Sequence, residues 1–180
     1  MRHRYTATAI SLHWLIAIGI AGTFSLGLYM HELPLSPTKL QLYSWHKWAG
    51  VSLFALIVVR LLWRATHAAP PLPAQMPALQ RLAANATHWA RDALMVAVPL
   101  SGWLMSSAKG FQTVWFGVLP LPDLVAKDAA LGDLLQDVHE ALNLTMLGLV
   151  LLHAVAALKH HFIDRDDVLT RMLPALERNE

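Results

Sequence analysis

Two histidines lie fourteen residues apart in an otherwise apolar segment, "VHEALNLTMLGLVLLHA", which contains His139 and His153. At 100° per residue, fourteen residues are close to a whole number of helical turns and rise about 21 Å. Both imidazoles therefore leave one face of one helix, near opposite surfaces of a bilayer core about 30 Å thick. Neutral imidazole is a good axial ligand for haem iron, and ionisable side chains inside a membrane are costly and usually functional.

The elements that position these side chains are four apolar segments of about 20 residues each. The 180-residue chain is 56% hydrophobic and only 14% charged, whereas soluble domains have about 25% charge. We therefore predict an all-α, integral membrane four-helix bundle in contact with lipid, formed as one domain by residues 1–180. Its helices are predicted at 7–30, 45–63, 82–105 and 134–158.

Charge and cysteine content exclude several classes of function. The absence of cysteine excludes thiolate metal sites and covalent haem attachment through C-x-x-C-H. The net charge of +2 with dispersed arginines provides no basic stripe for nucleic acid. Ten of the fourteen lysines and arginines fall on the side of the N-terminus, which by the positive-inside rule predicts that both termini are cytoplasmic. The proline-rich inner connection, residues 67–80, is expected to be extended rather than helical.

This topology sorts five of the ten histidines into two levels. The outer level holds His46 and His139, and the inner level holds His13, His88 and His153. Two layers of imidazoles in a four-helix bundle suit two non-covalent b haems. Non-haem zinc or copper is the competing interpretation, but such sites prefer histidines clustered with carboxylates or sulfur. The remaining histidines fall at helix ends or in loops, where a solvated or headgroup role is expected: His3, His31, His67, His160 and His161.

Glycine occurs at the opposite level from two of these histidines. Gly27 follows His13 by fourteen residues, and Gly102 follows His88 by the same interval. A haem lying flat against a helix needs positions without side chains, which glycine supplies. Close packing of helices in lipid is an alternative reason for either glycine.

The same interval from His46 leads to Arg60, which is placed at the inner level. Arg60 is a possible partner for a haem propionate, with snorkelling to the membrane surface as an equal alternative. Spacing leaves open whether His13 or His88 joins His153 at an inner iron, because both lie at a suitable depth.

Four segments resemble the bacterial di-haem cytochrome b561 family, which includes a superoxide oxidase. They are "SLHWLIAIGI", "WHKWAGVSLFALIVVRLLWR", "HWARDALMVAVPLSGWLM" and "VHEALNLTMLGLVLLHAVAALKHHF". The resemblance implies a multi-pass protein of the bacterial inner membrane with two b haems. By resemblance, His13 and His153 are the axial ligands of the inner haem iron, and His46 and His139 those of the outer one. His88 becomes a possible contact for quinone or propionate.

The resemblance also implies an activity, the passage of electrons from superoxide at the periplasmic face to ubiquinone. An alternative is a cytochrome b subunit that links a separate dehydrogenase or hydrogenase to quinone, and a further alternative is a histidine-based metal or proton transporter. The predicted outer segments carry four lysines against six acidic residues, a formal charge of −2. Attraction of an anion to this face would therefore depend on a local patch, for which we expect Lys39, Lys47 and Lys109.

Overall fold

The computed structural model describes residues 4–71 and 77–176 and confirms the all-α membrane bundle. Each long helix extends beyond its predicted range, most of all at the amino end of the second one. A two-stranded hairpin lies between the third and fourth helices, and a five-residue π turn continues the fourth. The elements are α1 (Ala7–Glu32), α2 (Pro37–Thr66), α3 (Ala78–Ala108), β1 (Val114–Trp115), β2 (Leu119–Pro120), α4 (Ala129–Lys159) and the π turn (His160–Asp164).

Polar side chains fix where three of the helices begin. Thr6, Ser36 and Asp128 each accept a hydrogen bond from the backbone N–H three residues later, at 3.2, 3.2 and 3.0 Å. Such caps satisfy one of the free N–H groups in the first turn and contribute about 1 kcal/mol each. The helices thus begin where a capping residue precedes an apolar run.

Three helices among the described residues are long and apolar enough to cross a membrane: α1, α2, and α4 together with the π turn. The helix α3 is equally long, but Arg81, Arg91 and Asp92 in its first half lower its mean hydropathy. It packs extensively against α4, as α1 does against α2. We call α1–α2 and α3–α4 the two helical hairpins; they are joined by the packing of α2 on α3. That α3 also crosses the membrane, and which side each terminus faces, stay predictions; the names inner and outer follow that predicted orientation.

The buried core is a layer between the two histidine levels. It consists of Ile16, Ile57, Met95 and Met146, one residue from each long helix. Met95 and Met146 lie seven residues from the histidines of their helices, midway between the levels. We call these four residues the central apolar layer.

The inner connection is shorter than predicted. Residues 78–80 already belong to α3, and Pro77 precedes the helix, a position that suits proline because it needs no N–H partner. Residues 72–76 of this connection lie outside the described residues, as do Arg2, His3 and Arg178, which contributed to the predicted topology.

The expectation that His160 is solvated is wrong. Its side chain is buried, and its Nδ1 lies 2.6 Å from Asp166 Oδ2 and 3.3 Å from Asp164 Oδ2. The cause is the end of α4, which passes into the π turn and then into Arg165 with φ of 55°. This left-handed residue reverses the chain, so that Asp166 returns to the imidazole.

Candidate haem centre

Three imidazoles meet at the inner level. The ring of His153 on α4 has its centroid 6.2 Å from that of His13 on α1 and 6.2 Å from that of His88 on α3. A bond from imidazole nitrogen to a metal is about 2 Å long, so two rings on opposite sides of one ion have centroids roughly 6 Å apart. Either pair has this separation, and the choice between His13 and His88 therefore stays open on geometry.

The inner level is also rich in cations. Arg60 is buried, and its Nη1 lies 3.5 Å from the carbonyl of Ala9 on α1, so its side chain is directed into the bundle. Arg64 forms an ion pair with the buried Asp92. Within the described part of the chain, Arg91 Nη1 and Asp92 Oδ1 are buried without a hydrogen-bond partner. Three guanidinium groups and one carboxylate leave a formal charge of +2, which suits the two propionates of a haem.

At the outer level, each histidine lies against a glycine of the neighbouring helix. A Cβ at Gly27 would be 3.3 Å from His46 Cε1, and one at Gly102 would be 3.1 Å from His139 Cε1. The space at these glycines is thus occupied by the imidazoles themselves, whereas the spacing had suggested room for a flat macrocycle. At Gly50, one turn after His46, an added Cβ would meet no described atom within 4 Å.

The two outer imidazoles differ in their hydrogen bonds. Nδ1 of His139 lies 2.9 Å from Ser101 Oγ and 3.1 Å from the Val98 carbonyl oxygen. Nδ1 of His46 is buried without a hydrogen-bond partner among the described residues. Half-buried imidazoles, with open space at Gly50 beside one of them and an arginine-rich inner level, fit haem as the bound group.

The geometry reveals a repeat that the sequence reading missed. In α1 and in α3, a His-Trp pair is followed by a glycine fourteen residues after the histidine. In α2 and in α4, a histidine is followed by a basic residue at the same interval. The corresponding pairs are His13 and His88, Trp14 and Trp89, Gly27 and Gly102, His46 and His139, and Arg60 and His153. The fourteen-residue interval, compared between the two halves of the chain, is the signal that would have found it. His13 and His88 are equivalent in this repeat, which explains why spacing does not distinguish them.

The lysines expected to attract an anion have different partners. Lys39 and Lys47 donate hydrogen bonds to neutral oxygens at 2.5–3.2 Å, and neither forms an ion pair within residues 4–71 and 77–176. Lys109 lies 3.3 Å from Asp133 Oδ1 and also contacts Gln136. The positive charge of Lys109 is therefore partly neutralised by direct contact. Lys39 and Lys47 have no carboxylate within ion-pair distance among the described residues, and Asp123 acts on Lys47 only from further away.

Elsewhere in the described residues, one group of three side chains has the spacing of a metal site. The ligand atoms of His160, Asp164 and Asp166 lie within 4.8 Å of one another. Lys159 Nζ contacts both Asp164 oxygens, at 2.5 and 2.7 Å, and His160 contacts Asp166. These contacts account for the cluster as one ion pair and a set of hydrogen bonds that close the end of α4. Neither histidine level contains such a group of acids and histidines, so the described residues give the zinc or copper interpretation no support there.

Comparison with known proteins identifies the family. The chain matches the profile described as prokaryotic cytochrome b561 over residues 4–175. It is 38% identical to cytochrome b561 homolog 2 of Escherichia coli (strain K12), covering 94% of this chain and 91% of the relative. The chain is 30% identical to cytochrome b561 homolog 1 of the same organism, covering 96% of this chain and 98% of the relative. It is 27% identical to the probable superoxide oxidase CybB of Yersinia pestis, covering 97% of this chain and 98% of the relative.

These matches confirm the resemblance that the sequence segments predicted. The family accounts for the arrangement of helices and histidines, since it binds haem b and transfers electrons within the membrane. The chain belongs to the prokaryotic cytochrome b561 family and is a multi-pass electron-transfer protein of the bacterial inner membrane.

Proposed function

We propose that the protein is a di-haem b oxidoreductase that passes electrons from superoxide at the outer level to ubiquinone at the inner level. The observation that carries this proposal is the presence of imidazoles at two levels of one bundle, with the central apolar layer between them. Two superoxide anions each lose one electron and become dioxygen. One ubiquinone takes up these two electrons together with two protons.

The proposed axial ligands are His46 and His139 for the outer haem and His13 and His153 for the inner haem. When bound, haem supplies a reversible one-electron couple of its iron. Two imidazoles per iron leave no open position for dioxygen, so each site carries electrons rather than binding gas. The separation of 6.2 Å supports the inner pair, and the choice of His13 over His88 follows the family resemblance.

His88 and Arg60 have supporting roles in this proposal. The ring centroid of His88 lies 6.2 Å from that of His153, and Arg91 follows one turn further along α3. An imidazole there is suited to donate a hydrogen bond to a ubiquinone carbonyl and, when it is protonated, to pass a proton to it. Arg60, buried at the same level, is assigned to an inner haem propionate.

Two observations support superoxide as the donor. The relative from Yersinia pestis is named a probable superoxide oxidase, at 27% identity. The charges of Lys39 and Lys47 are not cancelled by ion pairs within the described residues, and positive charge on one face raises the rate at which an anion arrives.

Stopped-flow absorbance of the detergent-purified protein tests the proposal. Superoxide should reduce the haems directly, and a soluble ubiquinone analogue should reoxidise them. The formal charge of −2 on the predicted outer segments favours a second candidate, a cytochrome b subunit reduced by a partner dehydrogenase. Slow reduction by superoxide, with rapid reduction by a small non-physiological donor, would support that candidate. A membrane fraction without a reduced b-type haem spectrum would contradict both and favour the transporter interpretation.

A further inference from the structure

The hydroxyl group of Ser101 lies between a carbonyl oxygen and an imidazole. Its Oγ is 2.8 Å from the Val98 carbonyl oxygen and 2.9 Å from His139 Nδ1. A serine hydroxyl has one hydrogen to donate, and a carbonyl oxygen can only accept. His139 Nδ1 also lies 3.1 Å from the same Val98 oxygen, a contact that requires a hydrogen on Nδ1, so the hydrogen of Ser101 points to Val98 and Oγ accepts from the imidazole. Ser101 is buried, so water does not compete for these bonds.

This arrangement determines which nitrogen of His139 carries the proton. Both groups within reach of Nδ1, the Ser101 oxygen and the Val98 carbonyl, act as acceptors here. Nδ1 must then be the protonated nitrogen, and in a neutral imidazole the lone pair is on Nε2. The ring is thereby set in the tautomer that binds a metal through Nε2.

The hydrogen bond also changes how strongly the imidazole donates electrons. A histidine ligand that donates its other N–H to an acceptor becomes a more basic ligand, and the partner fixes the orientation of the ring. The Ser101 oxygen is a better acceptor because it is itself donating to Val98, since hydrogen bonds in a chain strengthen one another. A more basic ligand stabilises ferric over ferrous iron and lowers the reduction potential.

We infer that Ser101 is a positioning residue that orients His139 through Nδ1 and lowers the reduction potential of the outer haem. The inference rests on the proposed function, because it requires His139 to be a haem ligand. It concerns one of the two outer ligands only: Nδ1 of His46 has no hydrogen-bond partner among the described residues.

A potentiometric titration of the Ser101→Ala variant tests the inference. The Val98 carbonyl remains 3.1 Å from Nδ1, so the tautomer is kept and two low-spin haems should still bind. The outer haem should become easier to reduce, with a ferrous-to-ferric ratio at fixed potential raised up to about tenfold, which is about 59 mV for one electron. The reduction potential of the inner haem should not change. A His46→Ala variant, which should lack the outer haem, identifies the titration that belongs to it.

Two further variants separate the hydrogen bond from a packing effect. Ser101→Thr keeps the hydroxyl and should restore the original potential. Ser107→Ala is a matched control, because Ser107 is also buried on α3, donates to the Trp103 carbonyl of its own helix at 3.0 Å and accepts from the Leu124 N–H at 3.2 Å, but contacts no histidine there. It should leave the outer potential unchanged.

The outcomes distinguish this inference from the proposed function. Two low-spin haems with an unchanged outer potential in Ser101→Ala would overturn the inference and leave the haem assignment intact. Loss of the outer haem in Ser101→Ala supports the inference if Ser101→Thr restores it, and overturns it if Ser101→Thr does not. A wild-type protein that binds fewer than two haems, measured by pyridine haemochromogen, would overturn the proposed function itself.

Discussion

Replacing Gly102 with alanine should weaken binding of the outer haem. The added Cβ would lie 3.1 Å from Cε1 and 3.4 Å from Nδ1 of His139, so the ring must move by a few tenths of an ångström. That movement is opposed by the bonds from Nδ1 to Ser101 and Val98, at 2.9 and 3.1 Å. Overpacking of this kind costs about 2 kcal/mol, and a weakened buried hydrogen bond costs about 1 kcal/mol.

The higher helix propensity of alanine acts on the bundle with or without haem, so it does not offset this loss of affinity. The effect of Gly102→Ala is then about 3 kcal/mol, or roughly a hundredfold in affinity for the outer haem. Gly27→Ala should have a much smaller effect. Its Cβ would be 3.3 Å from His46 Cε1, a longer contact that needs a smaller displacement, and no hydrogen bond as short as those of His139 holds that ring at Nδ1 among the described residues.

The assay is the rate of haem transfer from each purified variant to an excess of apomyoglobin. Gly22→Ala and Gly148→Ala are the matched controls, because an added Cβ at either position meets no described atom within 4 Å. We expect one of the two haems to leave faster in Gly102→Ala and neither to do so in the controls. If Gly27→Ala releases haem as fast as Gly102→Ala, the argument from the hydrogen bonds of the ring is refuted.

Three further predictions concern the ligands and the ion pair at the inner level. His139→Ala should halve the haem count by pyridine haemochromogen; two retained low-spin haems would show that the outer pairing is wrong. His13→Ala should lose the inner haem or make it high-spin, whereas His88→Ala should keep both haems and slow quinone reduction; the reverse result would move the ligand to α3. Arg64→Gln should lower the thermal unfolding temperature, because it removes the guanidinium group bonded to the buried Asp92. Asp92→Asn should lower it further, by about 3 kcal/mol in stability, because Asp92 also offsets the charges of the buried Arg60 and the half-buried Arg91; an equal loss in both variants would contradict this reasoning.

The helices and the two histidine levels were predictable because they depend on the chain itself. Apolar length and the helical period fix which residues share a face and a depth, and the structure keeps His153 level with His13 and His88. The interval from His13 to Gly27 was visible in the sequence. The contact between Gly27 and His46 was not visible, because it depends on which helices are neighbours.

Other features depend on three-dimensional contacts that have no periodic signal. The buried state of His160 follows from a π turn and a left-handed Arg165, neither of which has a distinctive residue pattern. The hydrogen bond between Ser101 and His139 joins residues that are thirty-eight positions apart and lie on two different helices. Serine inside a helix usually bonds its own backbone, so the sequence gives no reason to expect a second partner.

The central apolar layer has a consequence for the energetics of the membrane. Between the two histidine levels no ionisable side chain occurs in residues 14–26, 48–59, 93–101 and 141–152, so electrons can cross this layer between bound haems while protons have no relay of ionisable side chains. Transfer between the levels is then electrogenic, since a charge moves about 21 Å through a core about 30 Å thick without a compensating proton. With the cytoplasm negative, an electron moving inward gains roughly 1.6 kcal/mol in energy for each 100 mV of membrane potential. In the proposed direction, the membrane potential opposes each electron that this protein carries inward. A larger membrane potential should therefore slow the oxidation of superoxide at the outer level.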